Sequence, residues 1–219
     1  MEIKEINLSL KSGKKIYAWY ALPQRPPKAF ICFCHGWGEH SLRYKDWGQR
    51  FIKQDYAFIA WDHIGHGQSE GKRGHIKNYN VFMEEVNVII NKVTQIYPSV
   101  PVVLYGHSMG GNIAINFGLR ESNPFRLLIA TAPWLRLTKR NPPMLDLAVK
   151  VLNRLAPSIQ FKAPLDSKGI CQVAEVVDGY KKDPLNHGRI TPRLVTVIDD
   201  AGEYALANID KLNKPFLLI

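Results

Sequence analysis

Residues 102–120, VVLYGHSMGGNIAINFGLR, decide the fold of this chain because they join a buried strand to a helix through one tight turn. The apolar run Val102–Tyr105 predicts the strand, and Gly111–Arg120 predicts the helix. Between them, Gly106–Gly110 reads Gly-x-Ser-x-Gly, a pattern in which a sharp turn holds the serine in a strained backbone conformation. Side chains two residues to either side would crowd the turn, so glycine at both places leaves Ser108 projecting from the sheet edge.

The turn also has a chemical consequence. Ser108 is predicted to be a nucleophile, and the main-chain amide of Met109, at the N-terminus of the helix, is predicted to stabilise developing negative charge. The alternative is a glycine-rich turn with an incidental serine, which would leave the next motif unexplained.

That motif is His35-Gly36-Trp37-Gly38-Glu39-His40, directly after the predicted central strand Lys28–Cys34. A serine that transfers an acyl group needs two backbone donors aimed at the oxyanion, one after the nucleophile and one from this earlier loop. Trp37 is therefore predicted to supply the second amide. Because the base follows the serine in chains with this strand order, we expect His35 to shape the loop by a local hydrogen bond.

The remaining pattern alternates strands and helices, which predicts an α/β protein with a mostly parallel sheet. An opening β-hairpin is indicated by alternating apolar residues on either side of Ser12-Gly13-Lys14. Strands disappear between Pro133 and His187, which predicts an inserted segment over the core. The alternation resumes with a helix over Pro192–Asn208 and a strand over Pro215–Ile219.

Three motifs together resemble the monoacylglycerol lipase group of α/β-hydrolases, which includes lysophospholipase-like proteins and the serine aminopeptidase S33 family. They lie at His35–Tyr44, Asp62–Gly71 and Gly106–Gly111. The resemblance implies an α/β-hydrolase fold with flanking helices and a helical cap, divided as core 1–133, cap 134–190 and resumed core 191–219. It also implies an apolar route for an acyl chain through the cap. Glu39 and Arg43 would lie near the polar end of the pocket, where they either hold a glycerol-like group or form a structural salt bridge.

A serine hydrolase also needs a histidine base and an acid that orients it. The only histidine after Ser108 is His187, which the resemblance places inside the cap, so it is a poor candidate. In the family the acid follows the strand that matches Pro215–Ile219, and the histidine comes later still. We therefore expect the final strands and helices and both residues to lie beyond Ile219, in a truncated chain; the alternative is a protein that has lost catalysis. The 219-residue chain alone is expected to show negligible ester hydrolysis and poor solubility.

The function predicted by resemblance is that of a serine hydrolase that cleaves carboxylic esters of lipids through an acyl-serine intermediate. The substrate would be a monoacylglycerol or a lysophospholipid. Two alternatives stay open: a non-catalytic lipid-binding or interaction protein on the same scaffold, and a serine peptidase.

Composition excludes several other classes of protein. The chain is 46% apolar and 22% charged, as soluble globular domains are. Apolar runs such as Ala29–Cys34 are far shorter than the ~18 residues of a membrane span. The start, Met1–Glu5, has no continuous hydrophobic segment, so we expect no signal peptide and a cytoplasmic protein without disulfides.

The formal charge of +10 is scattered and comes with no nucleic-acid motif, so no nucleic-acid partner is expected. A solvated basic surface explains it, with weak attraction to an anionic membrane as the alternative. The amphipathic segment Met144–Leu155 either covers the pocket or makes peripheral membrane contact.

No cofactor is expected. Asp62-His63-x-x-His66, with His75 nearby, has residue types that bind metals, but the resemblance makes this segment a loop beside the active site, so we expect no metal. Gly65-x-Gly67 lacks the third glycine of a dinucleotide site. The oligomeric state stays open.

Overall fold

The computed structural model describes residues 2–122, 124–136, 142–163 and 171–219. The strands of these residues are β1 (Lys4–Ser9), β2 (Lys15–Ala21), β3 (Phe30–Cys34), β4 (Ala57–Trp61), β5 (Val102–His107), β6 (Phe125–Thr131), β7 (Phe161–Lys162), β8 (Arg189–Ile190) and β9 (Phe216–Leu218). The helices are α1 (Lys45–Ile52), α2 (Asn80–Ile96), α3 (Met109–Arg120), α4 (Pro143–Leu155), α5 (Ala174–Lys182) and α6 (Pro192–Asn208).

The main sheet has the strand order β1-β2-β4-β3-β5-β6-β9. β1 and β2 form the antiparallel hairpin, and β2 is antiparallel to β4. The other five strands of this sheet, β4, β3, β5, β6 and β9, are parallel to one another. The predicted opening hairpin and mostly parallel sheet are thus confirmed. The carboxyl ends of β3, β4 and β5 share one edge, which is where ligand sites form in parallel sheets.

Both faces of the sheet are covered, which explains why β3 is apolar throughout. Phe30, Cys32 and Cys34 point into a core shared with α2, α3 and α6. Ile31 and Phe33, which alternate with them, point into a second core that is closed by α1 through Trp47, Phe51 and Ile52.

The long helix that precedes the last strand begins and ends as the sequence predicts, at Pro192 and Asn208. Proline suits the first position of a helix because its missing N–H would have no partner there. Thr191 caps the helix, since its side chain accepts a hydrogen bond from the main-chain N–H of Leu194.

One expectation about the inserted segment is wrong. A two-residue strand, β7, lies between Pro133 and His187 and pairs antiparallel with β8, with Phe161 opposite Ile190. A strand of two residues is too short to show an alternating pattern, so periodicity could not reveal it.

The predicted division into core and cap stays a prediction, and residues 137–141 and 164–170 of the cap lie outside the described residues. The described part of segment 134–190 is fastened to the loop after β3. Tyr180 Oη and the His187 main-chain N–H both donate to the Gly38 carbonyl oxygen, at 3.0 and 2.9 Å. Among the described residues, no helix combines the length and apolarity that crossing a bilayer requires.

Candidate active site

Ser108 is the single residue between β5 and α3, and its backbone has φ 53° and ψ −118°. A positive φ is uncommon for a residue with a side chain, and the neighbouring chain holds it in place. The Ser108 main-chain N–H donates to the Thr131 carbonyl at 3.0 Å, and its carbonyl accepts from the N–H groups of Asn112 and Trp134. The side chain is partly exposed. The turn predicted from the sequence Gly106–Gly110 is therefore present, with its serine held by three backbone hydrogen bonds.

The two glycines of the pentad are required by sterics, as the sequence suggests. A Cβ at Gly106 would collide with the carbonyl oxygen of Gly110, and a Cβ at Gly110 would collide with the carbonyl oxygens of Cys34 and His35. α3 can start directly after Ser108 and pass close to the end of β3 only because neither position carries a side chain.

The loop after β3 lies against Ser108, since a Cβ added at Gly36 would sit 3.3 Å from Ser108 Cβ. Trp37 and Met109, the two predicted oxyanion donors, directly follow the two residues that meet here. Neither N–H donates a hydrogen bond to any residue that the structure describes. Met109 is the first residue of α3, where a main-chain N–H has no partner within the helix.

His35 is buried and shapes this loop. Its Nε2 accepts from the His63 main-chain N–H at 3.1 Å, and its Nδ1 lies 2.7 Å from the Gly36 carbonyl oxygen. Burial, with His63 and His66 nearby, lowers the pKa of His35 well below its usual value, so the ring is neutral. These are the local hydrogen bonds expected from the sequence.

Glu39 and Arg43 form a salt bridge of 2.7 Å. The other oxygen of the Glu39 carboxylate accepts from the Gly36 main-chain N–H at 2.7 Å and from Tyr44 Oη at 2.8 Å. The Arg43 guanidinium lies 4.6 Å from the centre of the Tyr180 ring. The structural alternative for this pair is therefore present, and its contact with a substrate stays a prediction.

The loop after β4 is also held by its own polar groups. The Asp62 carboxylate accepts from the main-chain N–H groups of Ser41 and Gln68, each at 2.7 Å. His63 Nδ1 lies 2.5 Å from the carboxylate of Glu85 on α2. In the part of the chain that the structure describes, no three His, Cys, Asp or Glu side chains form a group that could hold a metal ion.

His187 is engaged at both ring nitrogens. Its Nε2 lies 3.1 Å from the Gly65 carbonyl oxygen, and its Nδ1 accepts from the Arg189 main-chain N–H at 3.3 Å. All seven histidines of the sequence fall within the described residues, and none is hydrogen-bonded to Ser108 Oγ there.

Two further contacts of this region were not foreseen from the sequence. His40 Nε2 lies 2.7 Å from Asp183 Oδ2, which joins the loop after β3 to the segment after α5. Glu85 is wholly buried beneath the loop after β4. A glutamate on the apolar face of α2 was the available signal for Glu85. No local pattern could pair residues as distant as His40 and Asp183.

Comparisons with known proteins agree with the fold. The profile of the family described as serine aminopeptidase S33 matches residues 25–219. The chain is 30% identical to the monoacylglycerol lipase of Mycolicibacterium smegmatis over 198 residues, which are 90% of this chain and 70% of that protein. It is 37% identical to the monoglyceride lipase of Homo sapiens over 177 residues, which are 79% of this chain and 57% of the human protein.

Among solved structures, the crystal structure of Paleococcus ferrophilus monoacylglycerol lipase matches with a TM-score of 0.80 and 27% identity. The match covers 100% of this chain and 77% of that one.

Proposed function

The chain belongs to the serine aminopeptidase S33 family of α/β-hydrolases, and on that premise we propose that it is a serine hydrolase of lipid carboxylic esters. The observation that carries the proposal is the backbone of Ser108, strained at φ 53° beside the loop of Gly36. A strained serine beside that loop supports acyl transfer, in which a hydroxyl and two main-chain donors act on the same carbonyl group.

The proposed chemistry has two steps. Ser108 Oγ attacks the ester carbonyl carbon, and the N–H groups of Trp37 and Met109 donate to the oxygen that becomes negative. The alcohol leaves, and water then releases the fatty acid from the acyl-serine. Both steps need a histidine base with an orienting acid. We assign neither role within the described residues, because no histidine there is hydrogen-bonded to Ser108 Oγ.

We propose a monoacylglycerol or lysophospholipid as the substrate. Relatives named as monoacylglycerol and monoglyceride lipases support this class, as does a relative named as a phospholipase. The exposed apolar residues of α4 support lipid contact through the cap. They include Met144, Leu147 and Leu155, which are 84%, 63% and 76% exposed.

Two other functions are supported by specific observations. The description of the family favours a peptidase, and the exposed apolar residues of α4 suit a lipid-binding protein without catalysis. The three functions differ in substrate and in their dependence on Ser108.

The test is an assay of the protein as its gene encodes it, beside its Ser108→Ala variant. The substrates are 1-oleoylglycerol, 1-oleoyl-lysophosphatidylcholine and an aminoacyl p-nitroanilide. Ser108-dependent release of oleate is expected. Release of p-nitroaniline alone would support the peptidase, and oleoylglycerol binding without turnover would support the binding protein.

A further inference from the structure

The buried carboxylate of Glu85 has no obvious reason to be in the core. The side chain is fully enclosed, and its oxygens accept hydrogen bonds from three donors. These are His63 Nδ1 at 2.5 Å, the Ile64 main-chain N–H at 2.8 Å and Trp61 Nε1 at 3.3 Å. A buried charge persists only where such donors replace water, so this cluster holds the loop after β4 in one place.

From that loop, a chain of hydrogen bonds leads to the loop after β3. The His63 main-chain N–H donates to His35 Nε2. A main-chain N–H can only donate, so Nε2 must be the unprotonated nitrogen of the neutral ring, and the proton must be on Nδ1. His35 Nδ1 therefore donates to the carbonyl oxygen of Gly36 at 2.7 Å.

The Gly36 carbonyl and the Trp37 N–H belong to the same peptide plane. In a trans peptide the two groups point in opposite directions, so a hydrogen bond that fixes the oxygen also fixes the direction of the N–H. It polarises the peptide as well and makes the N–H a better donor. The preceding peptide is held in the same way, because the Gly36 N–H donates to Glu39 at 2.7 Å.

We propose that Glu85 is a positioning residue that orients the Trp37 N–H through His63 and His35. The inference rests on the proposed function, in which that N–H stabilises the oxyanion. In this proposal, a carboxylate on α2 that is not in contact with Ser108 affects the reaction by orienting a main-chain donor. The competing explanation is that the cluster only stabilises the core.

Substitutions of His35 separate these explanations. Asparagine places an amide N–H where Nδ1 lies and keeps the donor to Gly36, whereas glutamine reaches the place of Nε2 and loses it. For His35→Gln we expect kcat for p-nitrophenyl butyrate to fall roughly tenfold to a hundredfold with KM within about threefold, as for a misaligned oxyanion donor. His35→Asn should keep kcat within about threefold.

Glu85→Gln tests the far end of the chain, since its amide nitrogen can only donate and would face either His63 Nδ1–H or the Ile64 main-chain N–H. Glu85→Gln should shift the Trp37 amide signal in a ¹H–¹⁵N spectrum in the same direction as His35→Gln does. Its kcat should fall less than that of His35→Gln. His75→Gln is the matched control, because His75 contacts Thr191 and lies outside the chain of hydrogen bonds.

The proposal is overturned if the Trp37 amide signal is the same in wild type, His35→Gln and Glu85→Gln. It is also overturned if His35→Asn and His35→Gln lose kcat equally, in proportion to their loss of thermal stability. If the wild-type protein shows no Ser108-dependent hydrolysis, the proposed function fails, while the Trp37 signal, recorded without substrate, still decides the inference.

Discussion

The main-chain N–H of Ser108 donates a hydrogen bond of 3.0 Å to the carbonyl oxygen of Thr131, at the end of β6. The strained serine is thereby fastened to the neighbouring strand. The Ser108 carbonyl oxygen accepts from the Trp134 N–H at 2.9 Å, so β6 and the segment after it hold the peptides on both sides of Ser108. Strain of this kind persists only where surrounding contacts over-determine the conformation.

The close approach of α3 to β3 predicts that Gly110→Ala is strongly destabilising. The new methyl group would meet the carbonyl oxygens of Cys34 and His35, and Cys34 is the last residue of β3, which the sheet holds in place. We expect a loss of about 1–3 kcal/mol in the free energy of unfolding, measured by urea denaturation.

Gly179→Ala is the control for that variant. Gly179 lies in α5, and a Cβ there would meet nothing within 4 Å. Alanine should leave stability unchanged or raise it by about 0.5–1 kcal/mol, as in other exposed helix positions. Equal effects of the two substitutions would contradict the steric role of Gly110.

The parts of the fold that depend on short-range sequence patterns could be predicted from the sequence. Alternating apolar residues predicted the opening hairpin, and the two glycines around Ser108 predicted the tight turn. Pro192 predicted the start of α6. The strand Phe161–Lys162 was missed because two residues carry no period.

Only part of the candidate site could be predicted from the sequence, for the same reason. Ser108 and the loop of Trp37 carry local motifs, so their proximity could be anticipated from the order of strands. The contacts of Glu85 and of His40 with Asp183 depend on residues brought together only by packing, and a single sequence holds no signal for such pairs.

Asp199 on α6 makes stability depend on pH. Burial raises its pKa to about 6, assisted by the carboxylates of Asp200, Asp146 and Glu203 and opposed by a hydrogen bond from Trp134 Nε1. The folded state therefore favours the protonated acid, and the stability that this proton contributes is lost as the pH rises from about 4 through 6.

Asp199→Asn should remove the cost of burying an ionised carboxylate above pH 6. The asparagine side-chain oxygen should still accept the hydrogen bond from Trp134. At pH 7.5 we expect the variant to be more stable by about 1 kcal/mol, a figure discounted because the side chain keeps some contact with water. The gain should vanish near pH 4. Thermal melts across this range check it, and a pH-independent difference would contradict the assignment.

Because β9 exposes apolar side chains, we predict that the 219-residue chain self-associates. It lies at the edge of the described sheet, and Leu217, Leu218 and Ile219 are 47%, 57% and 69% exposed. Exposed apolar edge strands pair with other chains, whereas a lysine on the edge opposes pairing.

Leu217→Lys should therefore lower the apparent mass in sedimentation velocity. Val173→Lys, which adds the same charge at an exposed apolar residue away from the sheet, should not. A wild-type chain of 219 residues that sediments as a monomer at every concentration would refute this prediction.

The central claim is that Ser108 is the nucleophile, and the site of covalent labelling by a fluorophosphonate tests it most directly. The protein as its gene encodes it is treated with the probe and digested, and the modified peptide is identified by mass spectrometry. The account predicts one label, on Ser108, and no label or ester turnover in Ser108→Ala. Labelling at another residue, or ester hydrolysis that survives in Ser108→Ala, would contradict it.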